Sequence, residues 1–273
     1  LSEGFRFDFG GMSAATVAAA ALTATPSLAR PMTATDMHMM HRLGAPEVSR
    51  DGRYAVFTLS NTDWDKNKRV NTLHLLDLTK AGAVPQPVKG AEKGHDPVFG
   101  PDGALWFLMP VGERDQLFRM PIGGAPVRVS TFTGDVGGFR LAPSGNRVVV
   151  WADRDLRCAD LNCAGLPPKP KTGSGRTYDQ LFVRHWDTWA EPGVRSRLFG
   201  FAVARGKLVG SGVPLTGSLV GDTPSKPFGG AEEIAFSPDG RTVYFTLREA
   251  GRIEAKSTNL DIFQVPSDGS SPP

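Results

Sequence analysis

Two cysteines, five histidines and three tyrosines among 273 residues leave little material for several common kinds of site. A structural zinc site needs four Cys or His ligands at short spacings, and Cys158 and Cys163 have no histidine or third cysteine nearby. No metal or cofactor is therefore expected. The histidines, at 38, 41, 74, 95 and 185, are scattered, and no Gly-rich phosphate loop accompanies them. A G-x-S-x-G elbow is also missing, because Ser174 in "TGSGR" and Ser211 in "VGSGV" lack a glycine two positions earlier. Spacing alone thus nominates no catalytic residue. No apolar run approaches the ~18–20 residues that span a bilayer, so no membrane span is expected. Basic residues (31) and acidic residues (28) nearly balance and the basic ones form no stripe, which argues against nucleic acid as a partner.

Turn formers are plentiful. Glycine (32) and proline (22) favour many tight turns over long helices and point to an all-β chain. Four segments match one another: "APEVSRDGRYAVFTLSN" from Ala45, "HDPVFGPDGALWFLMP" from His95, "VGGFRLAPSGNRVVVWAD" from Val136 and "AEEIAFSPDGRTVYFTLRE" from Ala231. Each reads as strand, turn, strand. In Ser237-Pro238-Asp239-Gly240 the proline presets φ, the aspartate can hydrogen-bond the backbone, and the glycine accepts a positive φ at the exit. Beyond it, Val243, Phe245 and Leu247 share one face, and Ala55, Phe57 and Leu59 hold the same phase in the first copy. Apolar bulk on both faces suits a small sheet stacked between two neighbours.

The turn glycines stand at 52, 103, 145 and 240, so the last interval is about twice the others. A degenerate copy starting near 180 fills that gap at the roughly 40–50-residue period of four-stranded propeller blades. Strands such as "NTLHLLDLTKAG", "DQLFRMPIGG", "SRLFGFAVARG" and "LDIFQVPSDG" supply the second half of each copy. The expected organisation is a leader over 1–29, a lead-in helical segment over 30–44, and a partial β-propeller over 45–273. Its blades begin near 45, 95, 136, 180 and 231, five in all, and the ring is incomplete. In the lead-in, Asp36 or Thr35 is the expected N-cap.

The alanine-rich stretch from Ala14 to Ala24, followed by Ser27-Leu28-Ala29, fits a secretory leader cut after Ala29, with an alanine-rich helix or tail as the alternative. Export to the periplasm or medium makes a local Cys158–Cys163 disulfide the expected state, since four intervening residues let the two side chains meet; two free thiols are the alternative. Two further clusters are candidates for function. "YDQLFVRHWDTWAEPG" gathers Arg184, His185, Trp186 and Asp187, which either pack and brace a turn or face the propeller cavity. Glu232-Glu233 is either a charged blade edge or a pair that holds a protonated amine, and adjacent strand residues can share a ligand only where the backbone is irregular.

The S-P-D-G repeat, the lead-in "MTATDMHMMHRLGAPEVSRDGRYAVFTLS" and above all "YDQLFVRHWDTW" resemble the N-terminal β-propeller of the prolyl oligopeptidase family of serine peptidases, in particular its dipeptidyl-peptidase 5 and acylaminoacyl-peptidase types. The resemblance runs over residues 32–273. It implies a propeller that caps an α/β-hydrolase domain, restricts access to short peptides and helps fix a peptide's free N-terminus. It also implies a short-spaced cysteine pair in the loop before "FVRHWDTW", as Cys158 and Cys163 are, and a contact of Glu232 and Glu233 with the substrate's α-amine. The hydrolase domain is absent from these residues, so no triad residue transfers and the chain alone should be inactive. The alternative is a stand-alone Tol-like periplasmic propeller that binds other proteins.

Overall fold

A computed structural model describes residues 30–163, 175, 177–178, 181–185, 188–251 and 254–273. The expected leader, 1–29, lies outside the described residues. Two compact units are distinguished, Leu1–His38 and Met39–Pro273. The helix Ala34–Met39 is capped by Thr33, two residues before Thr35 and three before Asp36. Thr33 Oγ1 accepts from the Asp36 backbone N–H (3.2 Å) and the Asp36 carboxylate accepts from the Thr33 N–H (2.8 Å), a reciprocal capping box.

The second unit is built from antiparallel sheets in succession. The first pairs Tyr54–Asp63 with Arg42–Leu43, Glu47–Val48 and Lys68–Asp77, and the last of these with Gln86–Pro87. The second runs His95–Phe99, Leu105–Val111, Arg114–Met120, Val127–Arg128 in spatial as in chain order. The third is Gly138–Leu141, Arg147–Asp155, Val194–Ala204, Lys207–Pro214. The fourth, among the described residues, is Ile234–Phe236, Thr242–Leu247, Asp261–Pro266.

This pairing corrects the blade count. Val194–Ala204 pairs along its length with Arg147–Asp155, from Arg147 opposite Ala202 to Asp155 opposite Val194. It is the third strand of the third sheet, and among the described residues no separate blade starts near 180. The doubled glycine interval has a different cause: a long insertion, 156–193, separates two neighbouring strands of one sheet. Within it, Arg184–His185 and Thr188–Trp189 form a small hairpin of their own.

Alternation sets the packing. On the second sheet Leu105 and Phe107 enter an apolar layer with Val56 and Leu73 of the first sheet, while Trp106 and Leu108 enter another with Val148, Val150, Phe199 and Phe201 of the third. Val149 and Leu198 point the other way, against Ile234, Val243 and Phe245 of the fourth. Each inner sheet is thus buried on both faces, and each fully buried Leu, Val or Phe contributes about 1.5–3 kcal/mol. The outer face of the fourth sheet carries Tyr244 and Ile262, both exposed.

The repeated turn is reproduced atom for atom in the first and fourth sheets. Ser237 Oγ donates to Asp239 Oδ1 (2.6 Å) and accepts from Thr242 N–H (2.9 Å), as Ser49 Oγ does with Asp51 (2.6 Å) and Tyr54 (2.9 Å). Gly240 and Gly52 take φ of 73° and 70°, where a Cβ is disfavoured. Because every sheet starts antiparallel in the same sense, these turns lie at one end. The inter-sheet connections 88–94, 129–137 and 215–233 and the described part of the 156–193 insertion lie at the other.

Candidate functional site

Several charged and aromatic groups with unusual surroundings collect at the connection end. Glu232 and Glu233 lie in a 3₁₀ turn, Ala231–Glu233, just before the first strand of the fourth sheet. The backbone is irregular there, the condition for two adjacent side chains to serve one ligand. They differ in surroundings. Glu233 is part-buried and accepts three hydrogen bonds: Ser225 N–H (2.8 Å), Ser225 Oγ (2.6 Å) and Thr246 Oγ1 (2.8 Å). Glu232 is exposed. One carboxylate anchors the 225–233 segment to the sheet, and the other faces solvent.

Beside this turn sits an ion cluster that sequence spacing does not reveal. Arg195 forms a bidentate pair with Glu254 (3.0 and 3.1 Å) and donates to Asp222 (3.1 Å), whose other oxygen accepts from the Ser196 N–H (2.7 Å). Lys226 extends it, 2.6 Å from Asp153 and 3.8 Å from Asp222. Glu254 is 4% exposed. Burial works against the Arg195 cation, but its two carboxylates outweigh that and raise its pKa. Removing one partner from such a buried pair leaves an uncompensated charge. The partners lie 27 and 59 residues from Arg195, so only the fold unites them.

The described part of the insertion folds over the same end. Tyr178 stacks on Trp189 (6.1 Å between ring centroids) and donates to the Ala190 carbonyl (3.1 Å), while Arg184 lies over the Trp189 ring at 5.3 Å. Phe182 holds a left-handed backbone, φ 67°, which costs a bulky residue about 1–3 kcal/mol, and its ring sits under the Arg248 guanidinium at 5.2 Å. Between the segments flanking the hairpin and the strand ends opens a cleft of about 420 Å³, whose walls include Asp155, Arg157, Tyr178, Phe182, Pro192 and Arg195. The Arg157 guanidinium beside Asp155 holds that carboxyl down to about 2.

Cys158 and Cys163 are joined in a disulfide. The loop they close is seated from both sides. Buried Arg197 donates to the Cys158 carbonyl (2.8 Å), and Leu161, fully buried, enters the layer between the second and third sheets. Burial lowers the Arg197 pKa, with Asp155 partly offsetting it.

Of the residues singled out from sequence, Arg184 and the backbone of His185 fall in the hairpin, while Trp186 and Asp187 lie outside the described residues. Glu232 and Glu233 sit at the same end of the sheets as that hairpin. Among the described residues no cluster of His, Cys, Asp or Glu suits a metal ion, and no helix is long and apolar enough to cross a membrane.

Successive antiparallel sheets of about four strands, stacked face to face through apolar layers and linked at one end, are blades of a β-propeller. No family model matches the sequence. The chain is similar to dipeptidyl-peptidase 5 of Porphyromonas gingivalis, 27% identical over 264 residues, which cover 93% of this chain and 37% of that protein. It is also similar to dipeptidyl-peptidase 5 of Trichophyton equinum, 30% identical over 239 residues, covering 80% of this chain and 31% of that one. Among solved structures, acylaminoacyl peptidase of Pyrococcus horikoshii superposes with a TM-score of 0.56 at 10% identity, over 84% of this chain and 31% of that chain, which speaks to the fold. The chain is a propeller-like member of the prolyl oligopeptidase family of serine peptidases. It spans about a third of the length of the curated relatives it matches.

Proposed function

We propose that the chain is the substrate-gating propeller of an exported serine exopeptidase that releases dipeptides from oligopeptides, working with an α/β-hydrolase domain that carries the Ser-Asp-His triad. The observation that carries this reading is the similarity to dipeptidyl-peptidase 5 along most of the chain. These residues contain no G-x-S-x-G elbow, so the nucleophile and the acyl-enzyme chemistry belong to the partner domain. The disulfide supports export to the periplasm or medium. Glu232, exposed and fixed by its neighbour's three hydrogen bonds, is suited to hold a peptide's protonated α-amine, with Glu233 shaping the turn beneath it. Arg184, His185, Trp186 and Asp187 take the role of cavity-lining residues.

The test is hydrolysis of a dipeptidyl-chromogenic substrate. The 273-residue chain alone should give no turnover, and joined to the hydrolase domain it should give steady release. In the joined protein, Glu232→Gln should lower kcat/KM by about 10- to 100-fold, the worth of one charge-assisted hydrogen bond. Turnover by the chain alone refutes the division of labour, and an unchanged kcat/KM in Glu232→Gln refutes the amine anchor.

A further inference from the structure

We propose that His95 and the two carboxylates flanking it form a pH-responsive clamp, which holds the connection between the second and third sheets closed while the imidazole is charged. This inference is independent of the peptidase reading. His95 opens the first strand of the second sheet, opposite Leu108, and so shares the face that packs toward the third sheet. Its Nδ1 lies 3.0 Å from Asp96 Oδ2 and its Nε2 lies 3.1 Å from Asp115 Oδ2. A neutral imidazole has one N–H, so its other nitrogen would turn a lone pair on a carboxylate oxygen; only the imidazolium donates to both. The backbone is bent to allow this. Asp96 takes φ of 50°, and the strand register shifts between His95 and Val98, which lets the Asp96 carboxylate fold back onto the ring.

Asp115 links the ring to the connection. Its N–H donates to Asp135 Oδ1 (2.6 Å) and its carbonyl accepts from the Val136 N–H (3.1 Å). The residues on either side reach the same segment: Arg114 donates to the Thr133 carbonyl, and buried Gln116 donates to the Gly134 carbonyl (3.1 Å) and accepts from the Phe132 N–H (3.0 Å). The charged groups around the ring are Asp96 from its own strand, Asp115 and Arg114 from Arg114–Met120, Asp135 from the connection, and Arg154 from the third sheet, which interacts with Asp135 and Arg114. On the first-sheet side the packing is apolar, with Leu73 and Phe107.

The ring is 18% exposed. Burial disfavours its charge, yet Asp96 and Asp115 together outweigh burial and raise the His95 pKa. A raised folded pKa makes the clamp fully effective below the unfolded value of about 6.5, and its contribution is lost as pH rises through the folded value. Above that point Asp115 loses its cation while still packed beside Asp135.

Proton NMR of the whole chain, with the His95 ring resonance assigned by its loss in His95→Gln, measures the midpoint directly, and amide exchange at Val136 and Phe132 reports the connection. The His95 midpoint should lie above that of a free histidine. After correction for intrinsic rates, protection at both amides should fall with rising pH by about tenfold for each unit of that elevation, and the fall should vanish in His95→Gln. Asp96→Asn should lower the midpoint in an otherwise folded chain. A midpoint at or below the free value, one that Asp96→Asn leaves unmoved, or an equal loss of protection in His95→Gln overturns the proposal.

Discussion

Leu161→Ala is the sharpest test of how the disulfide loop works. The side chain is fully buried with Val150, Phe199 and Phe201, although it belongs to a short polar loop closed by Cys158 and Cys163. Its carbonyl accepts from Arg154 Nε (3.3 Å) and Nη2 (3.1 Å), and its N–H donates to Ser211 (3.2 Å), so backbone and side chain are held together. Truncation removes three carbons, about 2 kcal/mol of transfer free energy, and the cavity left between two sheets brings the cost to about 2–5 kcal/mol. Replacing both cysteines by serine removes a loop constraint of sequence separation 5, worth about 2 kcal/mol from chain entropy. The bridge is useful because it presents Leu161 to the core, so the combined variant should lose less than the sum, by more than about 0.5 kcal/mol. Urea unfolding followed by tryptophan fluorescence measures all three, and alkylation without reductant should label neither cysteine in the parent chain. A Leu161→Ala cost below about 1 kcal/mol would show that the loop is not part of the core.

Gly138 is buried opposite Trp151, and an added Cβ there would overlap the indole ring. Gly138→Ala should therefore cost about 1–3 kcal/mol and shift the tryptophan emission, and a neutral substitution would contradict that packing. Asp155 should titrate near pH 2 by carbon-detected NMR. Its folded value is depressed, so its contribution is present above the unfolded value of about 3.9 and is lost as pH falls toward 2. Arg157→Ala should move the Asp155 midpoint upward, and no movement would mean that another group holds the carboxylate.

The turn and the faces of the strands were legible because both are local. Ser237, Asp239 and Gly240 each have one physical role within four residues, and Val243, Phe245 and Leu247 alternate with Thr242, Tyr244 and Thr246 whatever the sheet packs against. Counting blades failed for the complementary reason. A glycine interval measures chain length between turns, and an insertion within a sheet lengthens it as effectively as a further blade. Only the ladder from Arg147 to Asp155 against Val194 to Ala202 separates the two cases. The helix cap was missed by two residues because Thr33 precedes the apolar spacing that marked the helix. The pair at 232 and 233 was visible as a charge feature, but its division into an anchored and an exposed carboxylate depends on Ser225 and Thr246, which sequence spacing does not connect to it.

That contrast bears on where chemistry can reside in this fold. At one end of the sheets the corners between first and second strands are four-residue structures, fixed in the first and fourth sheets by their own side chains, and a change in them disturbs a hairpin. At the other end the chain must travel from each sheet to the next, so its length and composition are free to vary without breaking a ladder. The structure places the exposed Glu232, the Arg195–Asp222–Glu254 cluster, the His95 pair of carboxylates, the cleft and the disulfide loop at that second end. Four of these are braced by a residue from the rigid strands: Thr246 for Glu233, Ser196 for Asp222, Leu108 opposite His95, Arg197 for Cys158. Connections held at fixed points by a rigid stack of sheets let one end specialise while the other only folds. Substitutions intended to alter binding should therefore be sought among the connections, and those intended to alter stability among the braces beneath them.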